Sequence, residues 1–180
     1  MTSTSSFPIC ARIDELLHPH REALGADYQG LRNHCQRVYA LTIIQMPNAS
    51  LDDFEQVAIA SAYHDLGIWT HLTFNYLQPS IQLACTYLCQ IKREEWIPTV
   101  STIILDHHKI TGSKGFLAEA FRQADLMDIS WGYLGHKYSR VHFLKLQATF
   151  PPAGFYRCLM IMCAKRLLSH PWSPFPMVRL

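Results

Sequence analysis

The sequence has few charged residues, no long apolar run and no paired cysteines, and each absence excludes a class of protein. Charged residues make up 17% of the chain and leave a net charge of +2, which is too small to favour nucleic acid or an anionic membrane as a partner. No stretch approaches the roughly 18 uninterrupted apolar residues of a membrane span. The N-terminus lacks the basic segment and apolar run of a secretory signal peptide. We therefore expect a soluble cytoplasmic protein with no nucleic-acid or membrane partner.

The residues that are abundant indicate a compact domain rich in histidine. Hydrophobic residues make up 49% of the 180 residues, enough to bury a core without disulfides, so we expect one domain over residues 1–180. The six cysteines include no C-x-x-C pair, which disfavours a zinc ribbon. Ten histidines are many for this length, and they justify a search for a metal site.

Apolar residues recur at helical spacing along most of the chain, whereas the alternation typical of strands is almost absent. Ser50 and Asp53 match a capping box at the start of one helix. Gly67 is a typical helix stop, so His64 and Asp65 should lie in the last turn of that helix. The sequence thus predicts an all-α protein of about seven helices. The segments that carry the helical pattern are 34–46, 50–67, 79–92, 98–110, 114–130 and 154–168.

Three of these segments place a polar residue where the apolar pattern predicts core. His34 begins one, the pair His64 and Asp65 ends another, and Asp125 interrupts a third. Imidazole nitrogen and carboxylate oxygen suit divalent ions such as Mn, Fe, Co, Ni, Zn or Mg. Four such ligands leave positions open for water and substrate, as a catalytic ion requires. A structural interpretation stays open beside this one, because buried histidines and aspartates are commonly hydrogen-bonded within the core.

The order of these residues resembles the H…HD…D pattern of the HD-domain superfamily of metal-dependent phosphohydrolases. The segments "NHCQRV", "AIASAYHDLG" and "FRQADLMD" are similar to that family's first-histidine helix, its "AALLHDIG" motif and its closing "ADxxD". The resemblance covers about residues 28–130, ahead of a C-terminal helix and Pro-rich tail at 154–180. It implies a helical bundle in which His34, His64, Asp65 and Asp125 bind one divalent ion tightly.

The same resemblance implies an activity and a substrate class. A metal-activated water would hydrolyse a phosphate ester of a small molecule, a nucleotide being one candidate. Asp65 is predicted to orient this water, and His108 to protonate a leaving group or steady a phosphate. Lys109 and Arg37 are the predicted substrate-binding residues. Their structural alternatives are a solvated helix end for Lys109 and an ion pair with Asp65 for Arg37.

The chain also departs from the two-metal members of that family. Ser80 stands where such members carry a further histidine, although the later pair His107 and His108 is present. Because neighbours on a helix point about 100° apart, we predict that His108 faces the site and His107 does not. His108 would then line the site or weakly hold a second ion.

Three further expectations complete the sequence interpretation. Core packing is the default for Phe74 and Tyr76, with an aromatic wall beside a nucleobase as the alternative. Asp128 is expected to anchor its helix.

Two other functions stay open, namely an HD-fold di-iron oxygenase or small-molecule hydratase, and a non-catalytic ligand-sensing module. The missing middle histidine argues against the oxygenase, because two irons need about six protein ligands. The sequence leaves the oligomeric state open.

Overall fold

The computed structural model describes residues 9–134 and 140–178, and α-helices dominate this part of the chain. The helices with ten or more residues are α3 (Tyr28–Ile43), α4 (Leu51–Tyr63), α6 (Leu77–Gln90), α7 (Ile97–Asp106), α8 (Phe116–Ile129), α9 (Arg140–Thr149) and α10 (Phe155–Ser169). The shorter ones are α1 (Ala11–Leu17), α2 (Arg21–Leu24) and α5 (Gly67–Thr70), with 3₁₀ turns at His18–His20, Gly25–Asp27 and Glu94–Trp96. No strand occurs in the described ranges, which confirms the all-α prediction.

Helix α4 begins as predicted but ends earlier than predicted. Ser50 Oγ accepts a hydrogen bond from the Asp53 amide, and Asp53 Oδ2 accepts one from the Ser50 amide, completing the capping box. The helix ends at Tyr63, so His64 and Asp65 lie just past its end rather than in its last turn. Gly67 begins α5 instead of stopping α4.

Gly67 is needed because another helix crosses very close to it. A Cβ at this position would lie 2.6 Å from the Tyr76 carbonyl oxygen and 3.0 Å from the Ser80 amide nitrogen. The Gly67 amide donates to Ser80 Oγ at 3.0 Å. Ser80 therefore fastens the turn after His64 and Asp65 to the start of α6.

The bundle is arranged around α3, which packs between α4 and α8, while α7 packs against α4, α6 and α8. Leu31, Val38 and Leu41 of α3 are completely buried. His34 lies on the same helix and is equally buried, so it projects into the core. The polar ends of α4 and α7 and the middle of α8 meet it there.

Residues 150–155 also pack onto α3. Arg37 donates to the Phe150 carbonyl at 2.8 Å, and Asn33 donates to the Pro151 carbonyl at 2.7 Å. The Phe155 ring stacks on His34, with ring centroids 4.2 Å apart. None of the described helices is long and apolar enough to cross a membrane.

Candidate metal centre

The four predicted ligands come together at the centre of the bundle. His34 Nε2 lies 3.0 Å from His64 Nε2, 3.4 Å from Asp125 Oδ1 and 3.6 Å from Asp65 Oδ2. His64 Nε2 lies 3.4 Å from Asp65 Oδ2 and 3.8 Å from Asp125 Oδ1. Two atoms that each sit about 2.1 Å from one ion are separated by about 3.0 Å at a right angle and about 3.4 Å at a tetrahedral angle. The observed separations fit a shared ion.

Each imidazole makes a hydrogen bond on the side that points away from the cluster, and this bond fixes which ring nitrogen faces the cluster. His34 Nδ1 lies 2.7 Å from Asp128 Oδ2, and His64 Nδ1 lies 2.9 Å from the Ser61 carbonyl oxygen. Both partners accept hydrogen bonds, so each Nδ1 carries the proton and each neutral ring turns the lone pair of its Nε2 inward. Such outer partners are typical of metal-binding histidines.

The carboxylates add further acceptors to the same place. Among the described residues, Asp65 Oδ1 and both carboxylate oxygens of Asp125 are buried without a hydrogen-bond partner. An unpaired buried polar group is costly, and a buried charge more so. A cluster of inward-facing acceptors of this kind could hold a cation.

The pKa shifts within the cluster lead to the same conclusion. Burial raises the pKa of Asp125 well above its ordinary value, against the opposing effect of His107. Burial acts in the same sense on Asp65, but His64 and His107 hold its pKa well below the ordinary value. Burial acts to lower the pKa of His64, but the Asp65 carboxylate, the hydrogen bond to the Ser61 carbonyl and the charge of Asp128 together raise it. A proton on His64 Nε2 and a metal ion would thus compete for one position, and a metal ion could also be bound by both carboxylates.

His107 corrects the prediction made for the His-His pair, because both rings face the site. His107 is 2% exposed, and its Nε2 lies 3.5 Å from Asp65 Oδ1. His108 Nδ1 lies 3.6 Å from Asp125 Oδ2. The angle of about 100° between neighbours holds within a helix, whereas α7 ends at Asp106. The two rings enter the site side by side, with centroids 4.0 Å apart.

The described residues therefore form two groups that could each hold a metal ion. We call His34, His64 and Asp125 the inner group, and Asp65, His107 and His108 the outer group. The second oxygen of each aspartate faces the other group, since Asp65 Oδ2 lies near His34 and Asp125 Oδ2 near His108. Carboxylates placed in this way could bridge two ions.

Tyr76 joins the two histidines of the outer group. Its hydroxyl lies 2.9 Å from His108 Nε2 and 3.3 Å from His107 Nε2. Burial raises the pKa of Tyr76 well above its ordinary value, so the hydroxyl keeps its proton. Sequence reasoning treated Tyr76 as core packing and missed this contact. The available signal was that a buried tyrosine hydroxyl requires a hydrogen-bond partner.

Arg37 does not reach the site, which corrects its predicted substrate-binding role. It is completely buried, and its Nε and Nη2 lie 2.6 and 2.8 Å from the two oxygens of Asp128. Asp128 in turn holds His34 Nδ1. The predicted anchoring role of Asp128 is thus extended, because the Arg37–Asp128 pair fixes both the position and the tautomer of His34.

Lys109 lies at a cavity of about 300 Å³ that reaches the cluster. His108 and Asp125 form the inner part of its lining, with Lys109 and Arg122 further along it. The Arg122 guanidinium donates to both carboxylate oxygens of Glu119, at 2.8 and 2.7 Å. Arg122 is therefore neutralised, and half-buried Lys109 has no ion pair within the described ranges.

Comparison with known protein families, with curated proteins and with solved structures finds no match for this chain. The molecule itself defines a class, namely an all-α protein whose buried histidine and aspartate groups could hold a metal ion. This arrangement is compatible with an HD-type site.

Proposed function

We propose that this protein is a metal-dependent hydrolase that cleaves a phosphate ester. The observation that carries the proposal is the inner group together with Asp65, whose inward-facing acceptor atoms lie 3.0 to 3.8 Å apart. A divalent ion bound there would lower the pKa of water toward neutrality and polarise a phosphoryl oxygen.

The residues around the ligands have separate tasks in this proposal. Asp65 Oδ1 is free of hydrogen bonds within the described chain, so it can accept one from the attacking water and orient it. Lys109 supplies a positive charge in the cavity that contains Asp125, where a phosphate group would be stabilised by a nearby cation. Burial lowers the pKa of His108, and a neutral imidazole is the form that binds a metal ion.

A second candidate function is that of a di-iron oxygenase with the same fold. The outer group favours this function, because it could hold a second metal ion. The missing middle histidine left too few ligands in the sequence interpretation. With His107 facing the site, the inner and outer groups together supply six residues, three in each. Six protein ligands suffice for two irons, so the objection no longer holds.

Metal analysis combined with activity assays tests both candidates. Protein purified without added metal would be analysed for Mn, Fe, Co, Ni, Zn and Mg. It would then be assayed with 4-nitrophenyl phosphate and bis(4-nitrophenyl) phosphate, with His34→Ala as the matched inactive variant. We expect bound metal and turnover in the natural chain and neither in the variant. Iron with oxygen consumption and no phosphatase activity would favour the oxygenase, and metal-free inactive protein would overturn both.

A further inference from the structure

A second cavity, which Lys109 does not line, also reaches the metal centre, and its lining is almost wholly apolar. This chamber has a volume of about 280 Å³. The lining residues that carry polar groups are Asp65, His108, Cys163 and Tyr76, and the Tyr76 hydroxyl already contacts the outer histidines. No lysine or arginine of the described chain lines it. The apolar side chains that form its walls include Ile68, Phe74, Ile129, Leu159 and Met177.

The two cavities adjoin one another at the metal centre. His108, Ile129 and Val178 line both of them. Asp65 belongs to the apolar chamber and Asp125 to the cavity with Lys109. A substrate bound at the predicted ligands would therefore have a cation within one adjoining cavity and mainly hydrocarbon in the other.

The chamber disfavours a nucleoside as the part of the substrate that it receives. Ribose hydroxyls and base edges carry many donors and acceptors, and burying them without partners is costly. The chamber offers such groups few partners besides the metal ligands themselves. Its volume is about twice that of a cavity of about 150 Å³ that accepts benzene, so a group of roughly ten carbon atoms would fill it.

We propose that the substrate is a phosphate ester of a compact apolar alcohol or phenol, whose hydrocarbon part occupies this chamber. This inference rests on the proposed phosphate-ester hydrolysis and narrows it to one substrate class. The phosphate lies at the histidine and aspartate cluster, toward Lys109, and the hydrocarbon lies against Phe74, Leu159 and Met177.

Binding of non-hydrolysable alkylphosphonates to the manganese-loaded protein tests the inference without a turnover assay. Methyl-, butyl- and octylphosphonate would be titrated by calorimetry, with adenosine monophosphate as the polar comparison. We expect affinity to rise roughly fourfold for each buried methylene, and adenosine monophosphate to bind more weakly than butylphosphonate.

Two variants of neighbouring residues on α10 locate the effect. Leu159→Trp fills the chamber, whereas Met160→Trp adds the same side chain at a position that is 65% exposed. We expect Leu159→Trp to abolish the gain from longer chains while methylphosphonate binds as before. Met160→Trp should leave the whole series unchanged. Leu159→Ala, which enlarges the chamber without overpacking it, should shift the preference toward octylphosphonate.

The outcomes separate this inference from the proposed function. An affinity that does not change with chain length, or tighter binding of adenosine monophosphate, overturns the inference even if phosphate esters are hydrolysed. Binding that rises with chain length, without hydrolysis of any phosphate ester, supports the apolar chamber and overturns the proposed function.

Discussion

The inner and outer groups contain similar residues but are held in different ways. In the inner group, His34 is braced by the buried Arg37–Asp128 pair and by stacking on Phe155. In the outer group, His107 contacts the Ile104 carbonyl and both histidines contact the Tyr76 hydroxyl, but no buried arginine–aspartate pair of the described residues supports them and the side chain of His108 is 18% exposed. Supporting contacts fix a ligand before the ion arrives. We therefore propose that the inner group would hold one ion tightly, and that the outer group would hold an ion more weakly or contact the substrate.

Replacing Asp65 should produce the largest effect, because this carboxylate faces both groups. Asp65→Asn keeps the shape but removes the charge that balances a cation and accepts a proton, so turnover should be lost. Asp65→Ala should in addition release metal. Activity, metal content and melting temperature would be measured on both variants. Retained activity with full metal content would show that Asp65 is only a structural partner of the histidines.

Replacing Asp128 should break the brace behind the inner group. Asp128→Ala leaves the completely buried Arg37 without its carboxylate, and an uncompensated buried charge costs about 3–5 kcal/mol of unfolding free energy. Metal affinity should fall about 10- to 100-fold. Urea unfolding and metal titration measure the two effects. The double variant Arg37→Met with Asp128→Leu should recover most of the stability but not the metal affinity, and equal recovery of both would contradict the bracing role.

The carboxylate of Asp128 also predicts how the unfolding free energy depends on pH. Burial alone would raise the pKa of Asp128, but Arg37 and His34 hold it below the ordinary value of 3.8. Its contribution to stability is therefore complete above that value and is lost as pH falls through the lower pKa of the folded state. Below about pH 4, the unfolding free energy of the natural chain should therefore fall by this contribution, whereas that of the Asp128→Ala variant should not.

Replacing His107 should show whether the inner and outer groups bind metal ions separately. His107→Ala removes a ligand of the outer group only, so the number of bound ions should fall from two to one in excess metal. His34→Ala should instead remove the tightly bound ion. Both variants would be titrated with Mn²⁺ and the stoichiometry determined. Loss of the tight ion in His107→Ala would show that the groups do not act separately.

The helices and the convergence of the inner group could be predicted from the sequence, because both depend on local pattern and on the order of the motifs. Ser50 and Asp53 form their capping box within one turn, and the apolar spacing around His34 and Asp125 places those side chains toward the core. The direction of the His107 side chain was predicted wrongly, because it depends on where α7 ends. Boundaries of this kind are the least reliable part of a sequence interpretation.

Contacts between distant segments that no motif connects could not be predicted from the sequence. Arg37 pairs with Asp128, which lies 91 positions away, rather than with Asp65. Helix α10 and the tail build the chamber through Leu159 and Met177. Apolar residues reveal that they will be buried but do not specify what they pack against, so the chamber could not be foreseen.

Replacing Lys109 should give the smallest of these effects. It tests whether the phosphate of the substrate lies in the cavity that Lys109 lines. Lys109→Met keeps the length of the side chain and removes its charge. A charge-assisted hydrogen bond is worth about 1.5–3 kcal/mol when buried, and because Lys109 is only half-buried we expect the lower end, about a tenfold loss in kcat/KM. The matched control is Lys114→Met, since Lys114 is exposed and lies outside the cavity lining. Neither variant should change the number of bound ions. An equal loss in both would mean that only the overall charge matters, whereas no loss in Lys109→Met would place the phosphate on the metal ligands alone.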